Sequence, residues 1–326
     1  MLRDLALGFV RVTEAAALAA ARFLGRGDKN AADQAAVNGM RAAFDTLDVD
    51  GIVVIGEGEL DEAPMLYIGE ELGTKIEGAP KIDIAVDPLD GTNLIAKGLP
   101  NAISVFAAAE RGCLLHAPDM YMKKIAVGPK ARGTIDINDT VENNLRRIAK
   151  ALDKELNELT VIMLDRERHH GLMKEVRELG ARIKLIGDGD VAAAIATGFE
   201  YTGVDVLMGI GGAPEGVIAA AALKCLGGDF QGVLMPQNEE EAERCRKMGI
   251  TDINKVFTLE DLVKGDEVFF AATGVSNGDL LKGVVYYGND RAYTHSVVMR
   301  SKTGTVRFIE AVHNLNKKPE YVRRNI

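Results

Sequence analysis

Two aspartates, a proline, a glycine and a threonine follow an apolar strand in quick succession, and these residue types suit phosphate chemistry. The segment reads Ile-Ala-Val-Asp-Pro-Leu-Asp-Gly-Thr over residues 84–92. Because proline cannot continue a hydrogen-bonded strand, we expect a turn at Pro88 that brings Asp87 and Asp90 together. The glycine and threonine that follow can open a helix, whose free N–H groups suit a phosphate. Carboxylates beside an anion are compatible when hard divalent cations lie between them, so the segment indicates a metal-dependent site for phosphate esters.

Further carboxylates stand at the ends of predicted elements. Asp33 lies in a predicted helix, Glu57 and Glu59 follow a predicted strand, and Glu215 lies in the glycine-rich segment 209–216. Carboxylates at the carboxyl ends of strands lie where α/β folds bind ligands. Oxygen ligands without a His or Cys cluster favour Mg²⁺ or Mn²⁺ over zinc. The alternative, that each acid is an ordinary solvated turn or capping residue, stays open for Asp33 and Glu59 on spacing alone.

Apolar patterning predicts the elements that would position these side chains. It predicts helices and strands in the first half of the chain, with helices at residues 4–24 and 31–44 and strands at residues 52–55, 82–86, 103–108 and 114–115. From residue 159 onward strands alternate with helices, at residues 160–164, 172–179, 182–186, 191–197, 204–208 and 217–226. This alternation predicts right-handed βαβ units and a mainly parallel sheet.

The two patterns divide the chain into halves of different character. We expect a layered α/β fold, with an N-terminal α+β half at residues 1–158 that binds metal and phosphate. The C-terminal half, residues 159–326, is rich in βαβ units and is expected to bind the substrate. Strands return between residues 267 and 312. The site is expected in the cleft between the halves.

Composition narrows the class of protein. The chain has 326 residues, 47% of them hydrophobic, and a net charge of −9. The absence of a basic run argues against nucleic acid and anionic membranes as partners. Its three cysteines form no CxxC pair, which favours a reducing cytoplasm. The N-terminus lacks the features of a signal peptide, and no stretch reaches the roughly 20 apolar residues of a membrane span.

Six motifs in order resemble those of class II fructose-1,6-bisphosphatases, a branch of the lithium-sensitive inositol-phosphatase-like superfamily. The motifs occupy residues 25–33, 55–65, 87–92, 117–122, 187–190 and 209–216. The resemblance covers essentially the whole length. It implies a layered sugar-phosphatase fold, hydrolysis of fructose 1,6-bisphosphate to fructose 6-phosphate and phosphate in gluconeogenesis, and a homodimer or homotetramer.

The resemblance also implies a set of metal ligands. Two or more Mn²⁺ or Mg²⁺ ions would be held per site, one by Asp33 and Glu57 and a second by Asp87, Asp90 and Glu215. Asp87 or Glu57 would bridge the ions. This family often has Glu where the chain has Asp90, whereas Asp is usual in the wider superfamily, and the shorter side chain could alter metal preference.

Catalytic and substrate-binding roles follow from the same resemblance. Asp87, Glu57 and Thr92 would be catalytic, with Thr92 orienting or deprotonating the attacking water. The 1-phosphate and the sugar would be bound by a larger set of residues, namely Lys29, Asp90, Gly91, Thr92, Tyr121, Arg166, Arg168, Asp188, Asp190 and Gly212. Arginine suits bidentate phosphate binding, so Arg166 and Arg168 are expected near the 6-phosphate or the sugar, together with Tyr121. The roles of Lys29 and Asp61 stay open.

Two of these segments allow other interpretations. An Arg-Glu-Arg run such as residues 166–168 is by itself typical of a solvated surface. Residues 187–192 match the dinucleotide-binding pattern G-x-G-x-x-A, but two aspartates in that turn would repel a pyrophosphate. The acids Asp188 and Asp190 suit sugar hydroxyls instead, since a hydroxyl can donate to a carboxylate.

Several alternative functions remain at this point. A dual enzyme that also hydrolyses sedoheptulose 1,7-bisphosphate is a close rival, whereas an inositol monophosphatase would not need a second phosphate site. An aspartyl-phosphate mechanism is typical of Asp-x-Asp-Gly-Thr, but here two residues separate Asp87 from Asp90. A non-catalytic sugar-phosphate sensor is disfavoured because Asp87, Glu215 and Thr92 are all present.

Overall fold

The computed structural model describes residues 5–58 and 65–319. Two acids that the sequence singled out, Glu59 and Asp61, therefore lie outside the described residues. No helix in the described ranges has the length and apolar character needed to cross a membrane.

The chain folds into two compact units. Unit 1 comprises Met1–Leu114 and Gly265–Ile326, and unit 2 comprises Leu115–Lys264. This division differs from the one predicted between residues 158 and 159. The difference arises because the C-terminal strands hydrogen-bond into the sheet of unit 1, which sequence order alone does not reveal.

The helices and strands follow the predicted order closely. The helices are α1 (Ala6–Ala20), α2 (Lys29–Phe44), α3 (Thr92–Lys97), α4 (Val141–Leu152), α5 (His170–Glu178), α6 (Asp190–Ala196), α7 (Ala213–Leu226), α8 (Glu239–Lys247) and α9 (Leu259–Leu262). The strands are β1 (Asp50–Ile55), β2 (Glu71–Leu72), β3 (Lys81–Asp90), β4 (Ile103–Glu110), β5 (Tyr121–Val127), β6 (Thr160–Leu164), β7 (Arg182–Ile186), β8 (Val206–Gly212), β9 (Asp229–Leu234), β10 (Phe257–Thr258), β11 (Val268–Gly274), β12 (Val285–Gly288), β13 (Arg291–Arg300) and β14 (Thr305–Asn314). The strand predicted near residue 114 is wrong, since Leu114 forms only an isolated bridge.

Unit 1 is built on a mixed sheet covered by α1 and α2. Its strand order is β12-β13-β11-β4-β3-β1-β2, with β14 paired to β13. The apolar face of α1 packs on this sheet. The centre of the Phe9 ring lies 4.8 Å from the centre of the Phe106 ring and 5.4 Å from that of the Phe269 ring. Strand β11 pairs antiparallel with β4, so the core of unit 1 contains residues from both ends of the chain.

The turn predicted at Pro88 is wrong. Strand β3 continues to Asp90, and its pairing with β4 shifts between Asp87 and Asp90, which is a β-bulge. The parallel partner β1 reaches only as far as Ala85 on β3. Because no β1 residue pairs with β3 beyond that point, the missing N–H of Pro88 costs no hydrogen bond on that side.

Unit 2 is built on a second mixed sheet, of order β10-β9-β5-β8-β6-β7. The predicted strands at residues 160–164 and 182–186 match β6 and β7, which pair parallel. Strand β6 also pairs parallel with β8, but β5 runs antiparallel between β8 and β9. The prediction of a mainly parallel sheet is therefore wrong for half of this sheet, because β5 precedes the alternating region and inserts into it.

Candidate active site

Unit 1 positions two of its carboxylates through the parallel pairing of β1 and β3. Ile55 of β1 pairs with Ala85 of β3, so Glu57 and Asp87 each follow a paired position by two residues. The carboxyl ends of neighbouring parallel strands meet at one edge of a sheet, where α/β folds bind ligands. Helix α2, which carries Asp33, packs against β3 and α3. Glu57 and Asp87 therefore follow neighbouring parallel strands at the same edge of the unit 1 sheet.

The backbone at Glu57 is held by a close contact with Leu66. The Glu57 N–H donates to the carbonyl of Leu66 at 3.0 Å. A Cβ on Gly56 would collide with that same carbonyl, so only glycine fits. The Leu66 N–H donates to the carboxylate of Glu70, which also accepts from Arg41 Nε at 2.5 Å. The buried Glu70 therefore connects α2 to the loop that carries Glu57.

The bulge at the end of β3 sets the next group of site residues. Asp87 Oδ1 accepts the N–H of Leu89 at 3.0 Å, and Asp90 is buried, with 5% of its surface exposed. Gly91 precedes α3 with φ of 102°, a conformation that favours glycine, and Thr92 is the first residue of α3. The predicted opening of a helix at this point is confirmed, although a bulge takes the place of the predicted turn.

Asp33 lies in the second turn of α2, half-buried. Burial raises the pKa of its carboxyl, and among the described residues it forms no ion pair. Lys29, one turn earlier on α2, is exposed, and Asp28 caps the helix by accepting the N–H of Ala31 at 2.9 Å. A desolvated carboxylate without a cationic neighbour is stabilised by a bound cation.

Unit 2 contains a buried lysine that is paired with one of the predicted site acids. Lys124 Nζ lies 2.7 Å from Asp190 Oδ2, and 3% of the lysine side chain is exposed. Glu215 is half-buried as a residue, but its Oε2 is fully buried and has no hydrogen-bond partner within the described ranges. Burial raises the pKa of Glu215, Lys124 opposes that rise, and Asp190 adds to it. An orphaned buried carboxylate oxygen is a suitable ligand for a hard cation.

Two glycines at the end of β8 make room for these acids. A Cβ on Gly211 would collide with Asp190 Oδ2 and lie 3.1 Å from Lys124 Nζ. A Cβ on Gly212 would collide with Glu215 Oε2. The glycine-rich segment at residues 209–216 thus admits side chains from α6 and α7 that larger residues would displace. Asp188, half-buried, precedes α6, separated from Asp190 by Gly189 at φ of 81°.

Tyr121 and Arg168 lie together in unit 2. The guanidinium carbon of Arg168 lies 4.7 Å from the centre of the Tyr121 ring. Arg168 Nη2 also donates to the carbonyl of Ile210 at 2.9 Å, whereas Arg166 Nη1 donates to the carbonyl of its neighbour Asp165. Stacking and a backbone contact fix the Arg168 guanidinium while most of its N–H groups remain for an anion.

His169 is buried, and only 2% of its surface is accessible. Its Nε2 accepts the N–H of Ile210 at 2.8 Å, so Nδ1 carries the proton and donates to the carbonyl of Leu164 at 2.7 Å. Burial lowers the pKa of the imidazole. The neutral ring therefore clamps β8 to the end of β6, next to the residues that hold Arg168.

Replacing His169 by alanine should lower the free energy of unfolding by about 2 kcal/mol, because the buried Ile210 N–H loses its acceptor. The wild type should also lose stability as the pH falls below the ordinary imidazole pKa of about 6.5, since the unfolded chain then binds a proton that the folded one resists. Urea unfolding at pH 8, 7, 6 and 5 measures both effects. The variant should show the shallower pH dependence, and a steeper one would contradict this assignment.

The described carboxylates offer the oxygen donors that a hard divalent cation prefers, but too few of them lie together to form a complete metal site. No group of three or more His, Cys, Asp or Glu side chains lies close enough to hold a metal ion, as far as the described residues show. The oxygen donors, the orphaned Glu215 Oε2 and the desolvated Asp33 nevertheless match the preferences of Mg²⁺ and Mn²⁺. The predicted ligands on unit 1 and Glu215 on unit 2 are each positioned by their own unit.

Comparison with known sequences decides the family. A profile described as bacterial fructose-1,6-bisphosphatase, glpX-encoded, matches residues 3–313. Fructose-1,6-bisphosphatase 1 class 2 of Escherichia coli (strain K12) is 50% identical over 331 aligned positions, covering 98% of this chain and 97% of that protein. This chain belongs to the class II fructose-1,6-bisphosphatase family. The resemblance inferred from the six motifs is thereby confirmed, as is the layered α/β class.

A second relative of this class II family carries a broader name. The D-fructose 1,6-bisphosphatase class 2/sedoheptulose 1,7-bisphosphatase of Synechococcus sp. (strain JA-2-3B'a(2-13)) is 48% identical over 331 aligned positions, covering 95% of each chain. The fructose-1,6-bisphosphatase class 2 of Shigella flexneri is 50% identical over the same length. Since all these matches span nearly the whole chain, the family assignment covers both compact units.

Proposed function

We propose that this protein hydrolyses fructose 1,6-bisphosphate to fructose 6-phosphate and phosphate with the help of divalent metal ions. The observation that carries the proposal is the match to class 2 fructose-1,6-bisphosphatases over nearly the whole chain, at 50% identity. The same relationship supports a role in gluconeogenesis, a cytoplasmic location and a homodimer or homotetramer.

The proposed metal ligands are the carboxylates that the sequence indicated. Asp33 and Glu57 would hold one Mn²⁺ or Mg²⁺ ion, and Asp87, Asp90 and Glu215 would hold a second. The desolvation of Asp33 and the orphaned Oε2 of Glu215 support this assignment, because a hard cation would stabilise the first carboxylate and give the second oxygen a partner. When bound, such ions lower the pKa of a water, screen the phosphate and stabilise the leaving oxygen.

The protein's own residues would orient the reaction. The Thr92 hydroxyl, at the first position of α3, would accept a hydrogen bond from the attacking water and orient it, and the backbone N–H groups of Gly91 and Thr92 would hold the 1-phosphate. Asp87 and Glu57 would fix the ions relative to that water. Water would attack phosphorus in line, without a phosphoenzyme, so an aspartyl-phosphate trapped by acid quench would contradict the proposal.

We assign the rest of the substrate to unit 2. Arg166, Arg168 and Tyr121 would bind the 6-phosphate, while Asp188 and Asp190 would accept hydrogen bonds from sugar hydroxyls. Lys29 and Gly212 complete the proposed substrate-binding residues. The stacking of Arg168 on Tyr121 supports its part, because a guanidinium held in one orientation loses little freedom when it binds a phosphate.

Replacing Arg168 by methionine should raise KM for fructose 1,6-bisphosphate by roughly 30-fold, which corresponds to losing a charge-assisted hydrogen bond. The effect on fructose 1-phosphate should be small, since that compound lacks the 6-phosphate. Steady-state kinetics with both substrates measures the ratio of KM in the variant to KM in the wild type for each of them. The matched control is Arg146→Met on α4, which removes an exposed arginine of the same unit paired with Glu142. An equal rise in KM for both substrates would show that Arg168 supports the fold and does not bind the 6-phosphate.

A dual fructose/sedoheptulose bisphosphatase is the second candidate, because the Synechococcus relative has both names, although the relatives at 50% identity are named for fructose 1,6-bisphosphate alone. The two sugars differ in length and share the ketose end and the terminal phosphate. Phosphate release from a panel of fructose 1,6-bisphosphate, sedoheptulose 1,7-bisphosphate and inositol 1-phosphate at equal concentration tests the substrate class. Our proposal expects fructose 1,6-bisphosphate to have the highest kcat/KM. Release from inositol 1-phosphate alone would contradict it.

A further inference from the structure

We propose that Lys124 is a positioning residue that assigns two buried carboxylates to different tasks. It holds Asp190 for the sugar and leaves Glu215 for a metal ion. This inference rests on the proposed function, because it takes the sugar and metal roles of these acids from there. No sequence motif pointed to Lys124, which lies in β5 between Lys123 and Ile125.

The geometry gives Lys124 one carboxylate partner and not two. Its Nζ lies 2.7 Å from Asp190 Oδ2, and both side chains are at most 10% exposed. Glu215 Oε2, equally shielded from water, has no hydrogen-bond partner within the described ranges. The stem of Lys124 also lies close to Gly216, the residue after Glu215 in α7, since a Cβ there would be 3.6 Å from Lys124 Cε. Lys124 is therefore paired with Asp190, whereas Glu215 Oε2 is left without a hydrogen bond among the described residues.

Local packing keeps the two acids in these separate arrangements. Gly211 leaves space for Asp190 Oδ2 close to Lys124 Nζ, and Gly212 leaves space for Glu215 Oε2. The stem of Lys124 passes beneath α7, where a Cβ on Gly216 would lie 3.6 Å from Lys124 Cε. The positions of the two acids thus depend on the absence of side chains at Gly211 and Gly212, whereas Gly216 makes an ordinary contact with the lysine stem.

Charge balance explains why the pairing matters. Two buried carboxylates and one ammonium leave one uncompensated negative charge, which a divalent ion at Glu215 would compensate. Without Lys124, Asp190 would also lack a cation and could turn towards the same ion. The sugar hydroxyl would then lose Asp190 as its hydrogen-bond acceptor, while the metal ion would keep Glu215 as its ligand. Lys124 therefore acts on substrate binding through Asp190 and not on the metal directly.

A double-mutant cycle separates this role from simple structural support. Lys124→Met keeps the length of the side chain and removes its charge, and Asp190→Asn removes the charge of its partner. We expect Lys124→Met to raise KM for fructose 1,6-bisphosphate about tenfold, and to add less than about twofold in the Asp190→Asn background. Lys124→Arg should restore part of the loss. Independent, multiplicative effects on KM would overturn the proposal.

Calorimetric titration of the substrate-free enzyme with Mn²⁺ provides a readout independent of turnover. At pH 8 we expect Lys124→Met to bind Mn²⁺ at least as tightly as the wild type, since a nearby cation has been removed. A loss of affinity of about tenfold or more would overturn the proposal. If the wild type neither binds Mn²⁺ nor releases phosphate, the proposed function itself fails.

The matched control is Lys154→Met. Lys154 also pairs with a buried aspartate of unit 2, Asp205, at 2.5 Å, but no role in the site is proposed for either residue. This variant should keep the wild-type KM even if it unfolds at a lower temperature. A KM in Lys124→Met no higher than in Lys154→Met, with both proteins folded by circular dichroism, would show that Lys124 only stabilises the fold.

Discussion

Replacing Asp87 by asparagine should reduce kcat for fructose 1,6-bisphosphate by about 1000-fold, equivalent to several kcal/mol of lost transition-state stabilisation. Asp87 lies at the bulge of β3, beside the end of β1 that leads to Glu57. The amide keeps the size of the side chain and can still accept the Leu89 N–H, so the bulge should persist. What is lost is the charge at the centre of the proposed metal ligands. Steady-state phosphate release at saturating Mn²⁺ measures the effect.

The control for Asp87→Asn is the same substitution at the opposite end of the sheet. Asp50 begins β1 and forms an ion pair with Arg111 at 3.3 Å, and we propose no catalytic role for it. Asp50→Asn should keep the wild-type kcat. If Asp87→Asn retained more than about a tenth of the wild-type kcat while remaining folded, Asp87 could not be a central metal ligand.

Replacing Gly56 by alanine should impair stability and catalysis together. The new Cβ would collide with the Leu66 carbonyl, which is backbone and cannot rotate away as the end of a side chain could. We expect the free energy of unfolding to fall by about 3 kcal/mol, at the upper end of overpacking effects. The shift would also move Glu57, whose N–H donates to the same carbonyl, so kcat should fall about 100-fold. Urea unfolding and phosphate release measure the two effects.

Gly171→Ala provides the comparison for Gly56→Ala. Gly171 lies in α5, its backbone does not have a positive φ, and no atom would lie within 4 Å of an added Cβ. Alanine there should slightly stabilise the helix, by roughly 0.5–1 kcal/mol, and leave kcat unchanged. A Gly56→Ala enzyme with the stability and kcat of the wild type would show that the Leu66 contact does not position Glu57.

Much of the fold could be predicted because local patterns determined it. Strands β6 and β7 match their predicted limits, and the opening of α3 follows from the glycine before Thr92. These elements have apolar runs bounded by turn residues, which is local information. Pro88 shows the limit of such reasoning. Proline excludes a hydrogen-bonded interior position, but a strand can also accommodate it at a bulge where its partner ends.

The remaining features depend on contacts between residues distant in the chain. The domain boundary could not be predicted, because β11 pairs with β4, and their sequence positions are more than a hundred residues apart. The burial of His169 could not be predicted either, because its neighbours Arg168 and His170 are polar and its acceptor role for Ile210 exists only in the folded sheet.

Lys124 illustrates the same limit at the candidate site. Strict alternation along β5 would have placed either Lys123 or Lys124 on a buried face, and that signal was present in the sequence. Which lysine is buried, and that it meets Asp190, depend on the pairing of β5 with β8 and on the glycines at the end of β8. Asp190 and Glu215 could be proposed as site residues from their motifs, but Lys124, which pairs with Asp190, could not.

Phosphate release by metal-depleted enzyme tests the central claim most directly. Enzyme treated with EDTA and freed of the chelator should release no phosphate from fructose 1,6-bisphosphate, and adding Mn²⁺ or Mg²⁺ should restore release in the wild type but not in Asp87→Asn. That result would support the reaction, the metal requirement and the central ligand together. Full turnover by the metal-depleted wild type, or no turnover with either metal, would contradict the account.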